Sequence, residues 1–200
     1  MNKLLIATNN KGKIKEFQEL LRELNVKLLT PTDINLALDV IEDGQTYAEN
    51  ASKKAIAFAK ASGLISLADD SGLEVDALNG APGLYSARYS PKPGADDENR
   101  RNYLIQNLSG KPRPWHAHFH ATIAIARPSG DLQFAEGTCY GEIIPTERGA
   151  GGFGYDPIFF IPALGKTMAE LEMEQKNQIS HRALAIKNSF PILHSLYNSS

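Results

Sequence analysis

The sequence predicts an α/β fold with a mixed β-sheet. Apolar runs of strand length alternate with amphipathic stretches of helical spacing along most of the 200 residues, which is typical of α/β proteins. Two longer β-rich runs, residues 117–126 and 132–145, are separated by the turn RPSGD and predict an antiparallel hairpin. Because a purely parallel sheet contains no such hairpin, we expect a mixed sheet.

Composition indicates a globular protein, and residues 1–200 are assigned to a single domain. Hydrophobic residues make up 42% and charged residues 22% of the chain, and the net charge is −2. This charge provides no global basic field, so a nucleic-acid partner is not expected.

Targeting signals and cysteine usage indicate a cytoplasmic location. The apolar run near the N-terminus is too short for the central region of a signal peptide. No stretch approaches the roughly 20 apolar residues that a membrane helix needs, so no membrane is expected as a partner. The single cysteine, Cys139, excludes an internal disulfide framework and fits a reducing compartment.

The first half of the chain predicts two strands and three helices. Residues 3–8 form a short apolar run, and the apolar residues after it fall at helical spacing. Thr46 and Glu49 are spaced as a capping box for a helix that continues to about Ala61. Residues 64–68, LISLA, predict a strand that ends at the two aspartates of ADDSG. Residues 95–110 predict a helix capped by Asp96 or Asp97.

The second half predicts the hairpin, a glycine loop and two more helices. The stretch GGFGYDPIFFIP, residues 151–162, predicts a loop that leads into an apolar strand. Thr167 and Glu170 have capping-box spacing and are expected to open a helix. Ser180 is expected to begin a last helix, which Pro191 kinks or interrupts.

The polar turn ATNNKGK, residues 7–13, indicates an anion site between a strand and a helix. Backbone N–H groups and the helix dipole favour negative charge at a helix start, and Lys11 and Lys13 add positive charge. The spacing is not that of a Walker A loop. A solvated turn with surface lysines is the alternative interpretation.

Asp69 and Asp70 are adjacent carboxylates, whose mutual repulsion a divalent cation would relieve. Oxygen ligands of this kind suit Mg²⁺, and Gly72 would let the chain turn sharply after them. Glu42 precedes the predicted second helix and could supply another metal ligand. The alternative is an Asp-rich turn that caps local backbone groups. A receiver domain is disfavoured by the long hairpin.

Two later stretches have the residue types of a nucleotide site. Four glycines surround Phe153 in GAGGFGYDPIFF, residues 149–160, where Phe153 and Tyr155 offer rings for stacking. A core hairpin would explain the same pattern. Arg182 follows Ser180 at a predicted helix start, where the dipole would prefer an acid, so a ligand is indicated.

Three histidines alternate along the first strand of the hairpin, at positions 116, 118 and 120. Surface or structural histidines are the preferred interpretation, although the spacing could bind a metal at a solvent-exposed edge.

Taken in order, these stretches resemble the inosine/xanthosine triphosphate pyrophosphatase family. The matching stretches are ATNNKGK, ENASKKA, ADDSGLEVDALNGAPGLYSARY, GGFGYDPIFF and SHRALA, which together extend from Ala7 to about Ala185. The 23-residue central stretch and GGFGYDPIFF are highly specific. The resemblance implies an elongated mixed sheet flanked by helices in two lobes, with the nucleotide in the cleft between them, and usually a homodimer.

The resemblance also implies hydrolysis of dITP, ITP and XTP to the monophosphate and pyrophosphate with Mg²⁺. Asp70 resembles the general base, and Glu42, Asp70 and Asp69 resemble the metal site. The positions that resemble the substrate-binding residues are Thr8, Asn9, Asn10, Lys11, Gly12, Lys13, Lys54, Ser71, Phe153, Gly154, Tyr155, Asp156, Lys176, His181 and Arg182. Donors from Arg182, Lys176 or the loop backbone would recognise the 6-keto group and be left unpaired by adenine.

Two departures from the family pattern stand out. Asn9 occupies a position where glycine is common, and His118 one where arginine is frequent. The alternatives are a Maf-type pyrophosphatase, which is not expected to carry FGYDPIF with SHR, and a catalytically idle nucleotide sensor. A sensor could dispense with the base, so intact Asp69, Asp70 and Glu42 disfavour it.

Overall fold

The computed structural model describes residues 2–198. Seven strands form one sheet in the order β2-β1-β3-β4-β5-β6-β7. The strands are β1 (Lys3–Ile6), β2 (Lys27–Leu29), β3 (Ile65–Val75), β4 (Trp115–Ala126), β5 (Leu132–Ile143), β6 (Phe159–Ile161) and β7 (Lys166–Thr167). The α-helices are α1 (Lys11–Leu20), α2 (Tyr47–Ser62), α3 (Asp97–Leu108), α4 (Met173–Ile179) and α5 (His181–Asn198).

The sheet is mixed, as the sequence predicts. Strand β1 pairs parallel with both β2 and β3. Strand β6 pairs antiparallel with β5 and with β7. Strands β4 and β5 are neighbours joined by a tight turn, in which the Arg127 N–H donates to the Asp131 carbonyl at 2.9 Å.

The chain divides into two compact units. The first contains the described residues up to Asp70, then Ala121–Gly137, then those from Arg182 onward; the second contains Ser71–His120 and Thr138–His181. The assignment of residues 1–200 to a single domain, and the nucleotide cleft that the resemblance implies, stay predictions.

In the first unit, alternate residues of β1 enter two different cores. Leu4 and Ile6 pack with Phe17 of α1 and Ile186 of α5. Leu5, together with Ala7 just after the strand, packs instead with the small residues of α2, including Ala51 and Ala55. Because successive strand side chains point to opposite faces, this part of the sheet has helices on both faces.

The second unit has one core, which α3 and the hairpin share. Leu104 and Leu108 of α3 are fully buried with Trp115 and Phe119 of β4 and with Phe159. The α3 helix begins as predicted, because the Asp96 side chain accepts from the Asn99 N–H at 2.8 Å. Thr46 likewise caps α2 through the Glu49 N–H at 3.1 Å.

The sequence-based expectations for two elements are wrong, and of the two alternatives for Pro191 the interruption of the last helix is excluded. Strand β3 does not end at the aspartates but continues through Gly72 to Val75, because Leu73 and Val75 are fully buried. The helix expected from Thr167 is a 3₁₀ turn, separated from α4 by the extended and buried Leu171. Helix α5 is not interrupted at Pro191.

Candidate active site

The turn between β1 and α1 is closed by its own polar side chains. The Thr8 Oγ1 accepts from the Asn10 N–H at 3.2 Å, and the Asn10 Oδ1 accepts from the Lys13 N–H at 3.1 Å. Asn9, Asn10 and Lys11 are exposed, and Gly12 lies in the first turn of the helix. The positive end of the α1 dipole therefore lies at an accessible polar turn, as an anion site requires.

A buried ion cluster, defined as Lys13, Glu16, Asp69 and Arg182, joins this turn to β3 and α5. The Arg182 Nη2 and Nε donate to the Asp69 Oδ2 at 2.9 and 3.1 Å, and its Nη1 donates to the Glu16 Oε2 at 2.5 Å. The Lys13 Nζ lies 3.1 Å from the same oxygen of Asp69. The guanidinium and both carboxylates are buried, so each charge depends on its partners.

The charges of this cluster set the protonation of its members. Burial acts to raise the pKa of Asp69, but the positive charges of Lys13 and Arg182 hold it far below its ordinary value. Burial also lowers the pKa of Lys13, although Asp69 opposes this. Asp69 therefore remains a carboxylate, and its charge is matched within the cluster.

A second group, defined as the Asp70 group, contains Glu42, Asn50, Lys54 and Asp70. The Lys54 Nζ donates to the Glu42 Oε2 at 2.9 Å and lies 3.9 Å from the Asp70 Oδ1. The Asn50 Nδ2 donates to the other Asp70 oxygen at 3.0 Å. Burial raises the pKa of Asp70 above its ordinary value, against the opposing charge of Lys54.

The two aspartates serve different clusters because β3 continues through them. Asp69 points to the face that carries α1 and α5, and Asp70 points to the face that carries α2. The cation expected beside the two adjacent carboxylates stays a prediction. Each carboxylate has its own lysine on its own face of the sheet.

The Asp70 group has the residue types that would hold a magnesium ion. Glu42 and Asp70 are hard oxygen donors that already face one cation, the ammonium of Lys54. Mg²⁺ is commonly held by one or two carboxylates together with substrate phosphates. Residues 2–198 contain no cluster of three or more His, Cys, Asp or Glu that could hold a metal ion by itself. The Oδ1 of Asp69 is buried without a hydrogen-bond partner among the described residues.

The glycine loop, residues 149–156, is folded around Asp156. The Asp156 Oδ2 accepts from the Phe153 N–H at 3.0 Å and from the Lys176 Nζ at 2.7 Å. The same ammonium lies 5.2 Å from the centre of the Phe153 ring. The buried Tyr155 donates its hydroxyl hydrogen to the Ser86 carbonyl at 2.9 Å. The loop therefore presents a half-buried ring next to a fixed ion pair.

Three backbone N–H groups of this loop already have partners within the protein. The Phe153 N–H donates to Asp156, the Gly154 N–H donates to Asp97 at 2.8 Å, and the Asp156 N–H donates to the Phe153 carbonyl at 3.2 Å. Recognition of a 6-keto group by these backbone groups is thus disfavoured.

Ser71 and His181, two further predicted site residues, lie in regular elements. Ser71 follows Asp70 in β3 and is half-buried. His181 begins α5, and its ring stacks on Phe119 at 4.7 Å with an interplanar angle of 16°.

The buried Cys139 has a pKa raised by burial to about 11, which fits a structural side chain.

Two of the three histidines on β4 lie near acids, and the third lies near a hydroxyl. The His118 Nε2 lies 3.4 Å from the Glu74 Oε2, and the His116 Nδ1 lies 3.8 Å from the Glu142 Oε1. The His120 Nδ1 lies 3.0 Å from the Thr138 hydroxyl.

Sequence reasoning missed four residues that contact the predicted site: Glu16, Asn50, Asp97 and Arg101. The sequence does contain a signal for a buried ion pair at Glu16. This acid lies next to Phe17 on the apolar face of a predicted amphipathic helix, where a carboxylate needs a cation. Asp97 had been considered only as a helix cap.

Comparisons with known proteins agree on one family. The model of the Ham1 family matches residues 4–191. The chain is 50% identical over 196 residues to a dITP/XTP pyrophosphatase of Desulforamulus reducens, covering 98% of this chain and 97% of the relative. It is 47% identical to a dITP/XTP pyrophosphatase of Listeria innocua over 94% of this chain and 92% of that one.

Solved structures give the same result. A HAM1 protein from Coxiella burnetii is 39% identical with a TM-score of 0.86, and the match covers all of both chains. The Staphylococcus aureus Ham1 protein is 40% identical with a TM-score of 0.83 over 99% of each chain. Within residues 2–198, no helix is long and apolar enough to cross a membrane.

Proposed function

The chain belongs to the Ham1 family, and we propose that it hydrolyses dITP, ITP and XTP to the nucleoside monophosphate and pyrophosphate. The observation that carries this proposal is the convergence of Glu42 and Asp70 on the ammonium of Lys54. The two carboxylates would bind the metal, and the lysine ammonium beside them would contact a phosphate. Removal of deaminated purine nucleotides from the nucleotide pool is the role that follows.

The triphosphate would be bound by the turn after β1 and by the lysines. The start of α1 supplies a positive dipole end, and Thr8, Asn10 and Lys13 shape the turn there. Lys54 supplies a further ammonium. Phosphoryl transfer depends mainly on positioning and on neutralised oxygen charge, and this arrangement supplies both.

We assign to Asp70 the role of orienting and deprotonating the attacking water. Its Oδ2 is held by Asn50 at 3.0 Å, which fixes the orientation of the carboxylate. From there it would orient the water towards the α-phosphorus and accept its proton. Mg²⁺ held by Glu42 and Asp70 would neutralise charge on the departing pyrophosphate. Asp69, enclosed by Lys13 and Arg182, would hold the Lys13 ammonium rather than the metal.

The nucleobase would be recognised by the glycine loop. Phe153 offers a stacking surface, and Lys176 beside it is a fixed donor towards a keto oxygen. Adenine would place an amino group there and leave the donor unpaired, which costs affinity. Three nitrogens of Arg182 already donate to Asp69 and Glu16, so a structural role for Arg182 is favoured over base recognition.

The test is product analysis with dITP, XTP, dATP and dGTP in the presence of Mg²⁺. We expect monophosphate and pyrophosphate from dITP and XTP, and little product from the other two. Asp70→Asn should lower kcat by about 10²–10⁴-fold. Asp43→Asn is the matched control, because Asp43 is exposed and pairs only with Lys53 among the contacts described for it.

Other outcomes would contradict the proposal in distinct ways. Orthophosphate as the first product would move the attack to the γ-phosphorus. Nucleotide binding without turnover would indicate a sensor, and turnover of modified pyrimidine nucleotides would indicate a Maf-type enzyme. A homodimer and a cytoplasmic location belong to the same proposal, and sedimentation analysis of the purified protein tests the dimer.

A further inference from the structure

Side chains of α3 bind both backbone polar groups of Gly154, its N–H and its carbonyl. The Asp97 Oδ2 accepts from its N–H at 2.8 Å, and the Arg101 Nη1 donates to its carbonyl at 2.8 Å. The two side chains lie one turn apart on α3, so a single rigid helix makes both contacts. We name this arrangement the Gly154 clamp.

The two clamping side chains are themselves fixed. The Arg101 Nε and Nη2 donate to the two carboxylate oxygens of Glu147 at 2.7 and 3.0 Å. Such a bidentate pair fixes the plane of the guanidinium as well as its position. Asp97 also pairs with Arg100, whose guanidinium donates to the Ala95 carbonyl at 2.8 Å.

The loop needs this support because its glycines give the unfolded backbone many alternative conformations. Gly152 and Gly154 have φ angles of +73° and +63°, a region that glycine enters freely and leaves equally freely. Ordering such a segment costs conformational entropy, which contacts from outside the loop must offset. The contacts between Phe153 and Asp156 lie within the loop and cannot fix its position relative to α3.

We propose that Asp97 and Arg101 are positioning residues that hold the Phe153 ring and the Asp156–Lys176 pair in the geometry that binds the nucleobase. This inference rests on the proposed function and extends it to residues outside the proposed site. Neither residue contacts the nucleotide in this scheme, since both act through the Gly154 peptide. Their loss should therefore weaken recognition of the base and leave the triphosphate contacts unchanged.

The kinetic test compares Arg101→Gln with Arg127→Gln, which removes the same charge from an exposed arginine in the β4–β5 turn. We expect Arg101→Gln to raise KM for dITP about tenfold, the effect of losing a charged hydrogen bond, and to change kcat less than about threefold. Inhibition by inorganic tripolyphosphate, which has no base, should be unchanged. Arg101→Lys keeps the charge but not the bidentate geometry and should recover only part of the affinity.

A milder variant protects the test against failure to fold. Glu147→Gln leaves both contacts to Gly154 in place but weakens the pair that fixes Arg101, so a smaller rise in KM is expected. Its control is Glu98→Gln, at an exposed position on α3. Equal KM values for dITP in Arg101→Gln, Glu147→Gln and their controls would overturn the proposal.

Amide hydrogen exchange tests the clamp without any activity. The Gly154 amide should exchange slowly in the wild type and faster in Asp97→Asn, whereas the Leu73 amide, bonded to the Ser86 hydroxyl at 2.9 Å, should be unaffected. Fast exchange of Gly154 in the wild type would overturn the clamp itself. A wild type that does not hydrolyse dITP would instead overturn the proposed function, while the exchange result still decides the clamp.

Discussion

The buried ion cluster and the glycine loop are stabilised in opposite ways. The cluster places four charged side chains on regular elements, with Arg182 at its centre and only 2% exposed. The loop has little regular structure and is held by contacts to its backbone, such as those of Asp97 and Arg101 to Gly154. Ion pairs between regular elements hold the first region, whereas side chains that bond to the backbone of an irregular segment help to hold the second.

The difference indicates how each region should respond to mutation. Removing one partner from a buried ion cluster leaves another charge uncompensated, so the whole fold loses stability. Removing one contact from the glycine loop frees a segment that opens locally, so recognition of the ligand should change more than global stability. The following predictions test this contrast.

The largest effect on stability is expected for Asp69→Asn. This change leaves the buried Arg182 and the adjacent Lys13 with less negative charge, and it should lower the free energy of unfolding by about 3–5 kcal/mol. Asp43→Asn, which disrupts the exposed pair with Lys53, should cost about 0–1 kcal/mol. Urea unfolding of both variants measures the difference, and equal losses would show that burial of the cluster contributes nothing.

The same residue predicts a pH dependence. Because the pKa of Asp69 is lowered in the folded protein, the unfolded chain takes up this proton first as the pH falls. The stabilisation by Asp69 is therefore complete above its ordinary pKa and is lost below about pH 4. The wild type should lose stability more steeply than Asp69→Asn on acidification, and since both keep Asp70, the difference isolates Asp69. Parallel pH profiles would contradict the ion cluster.

These two regions also differ in how far the sequence predicts them. The helix caps at Thr46 and Asp96 were predicted because a cap bonds to residues close by in the chain. Glu16 and Arg182, by contrast, are 166 residues apart, and no local pattern pairs them. The family resemblance nevertheless singled out Lys13, Asp69 and Arg182 individually, and its family assignment is confirmed.

Strand β3 shows why local propensity misleads at a site. Asp69, Asp70 and Gly72 all favour turns, so an end to the strand was the natural expectation. The structure retains the strand because Leu73 and Val75 beyond them are fully buried. The packing energy of residues further along the chain thus outweighs the local preference of the aspartates.

A medium effect is expected for Gly152→Ala. A Cβ at this position would lie 2.0 Å from the Asp156 Oδ2, which cannot move away without breaking its bonds to Phe153 and Lys176. Gly154→Ala is the matched control, because its φ is also positive but no atom lies within 4 Å of the added Cβ. The backbone penalty alone is about 1–2 kcal/mol.

The glycine pair separates backbone strain from loss of the Asp156 contacts. Both variants should lose a similar amount of stability from strain, and Gly152→Ala should additionally raise KM for dITP above that of Gly154→Ala. Steady-state kinetics and urea unfolding of the two variants provide the comparison. An equal KM in both would mean that the Asp156–Lys176 pair does not contribute to base recognition.

The smallest effect is expected for Tyr155→Phe. The ring of Tyr155 is buried in the core of the second unit, and only its hydroxyl reaches the Ser86 carbonyl. Phenylalanine keeps the packing and removes one hydrogen bond, so we expect a loss of about 1 kcal/mol in the free energy of unfolding and an unchanged KM for dITP. If KM rose as much as in Arg101→Gln, the loop would be positioned from its core side as well as by α3. An unchanged KM would show that the Tyr155 hydroxyl does not position the loop for the nucleobase, although Tyr155 is adjacent to Gly154 in the chain.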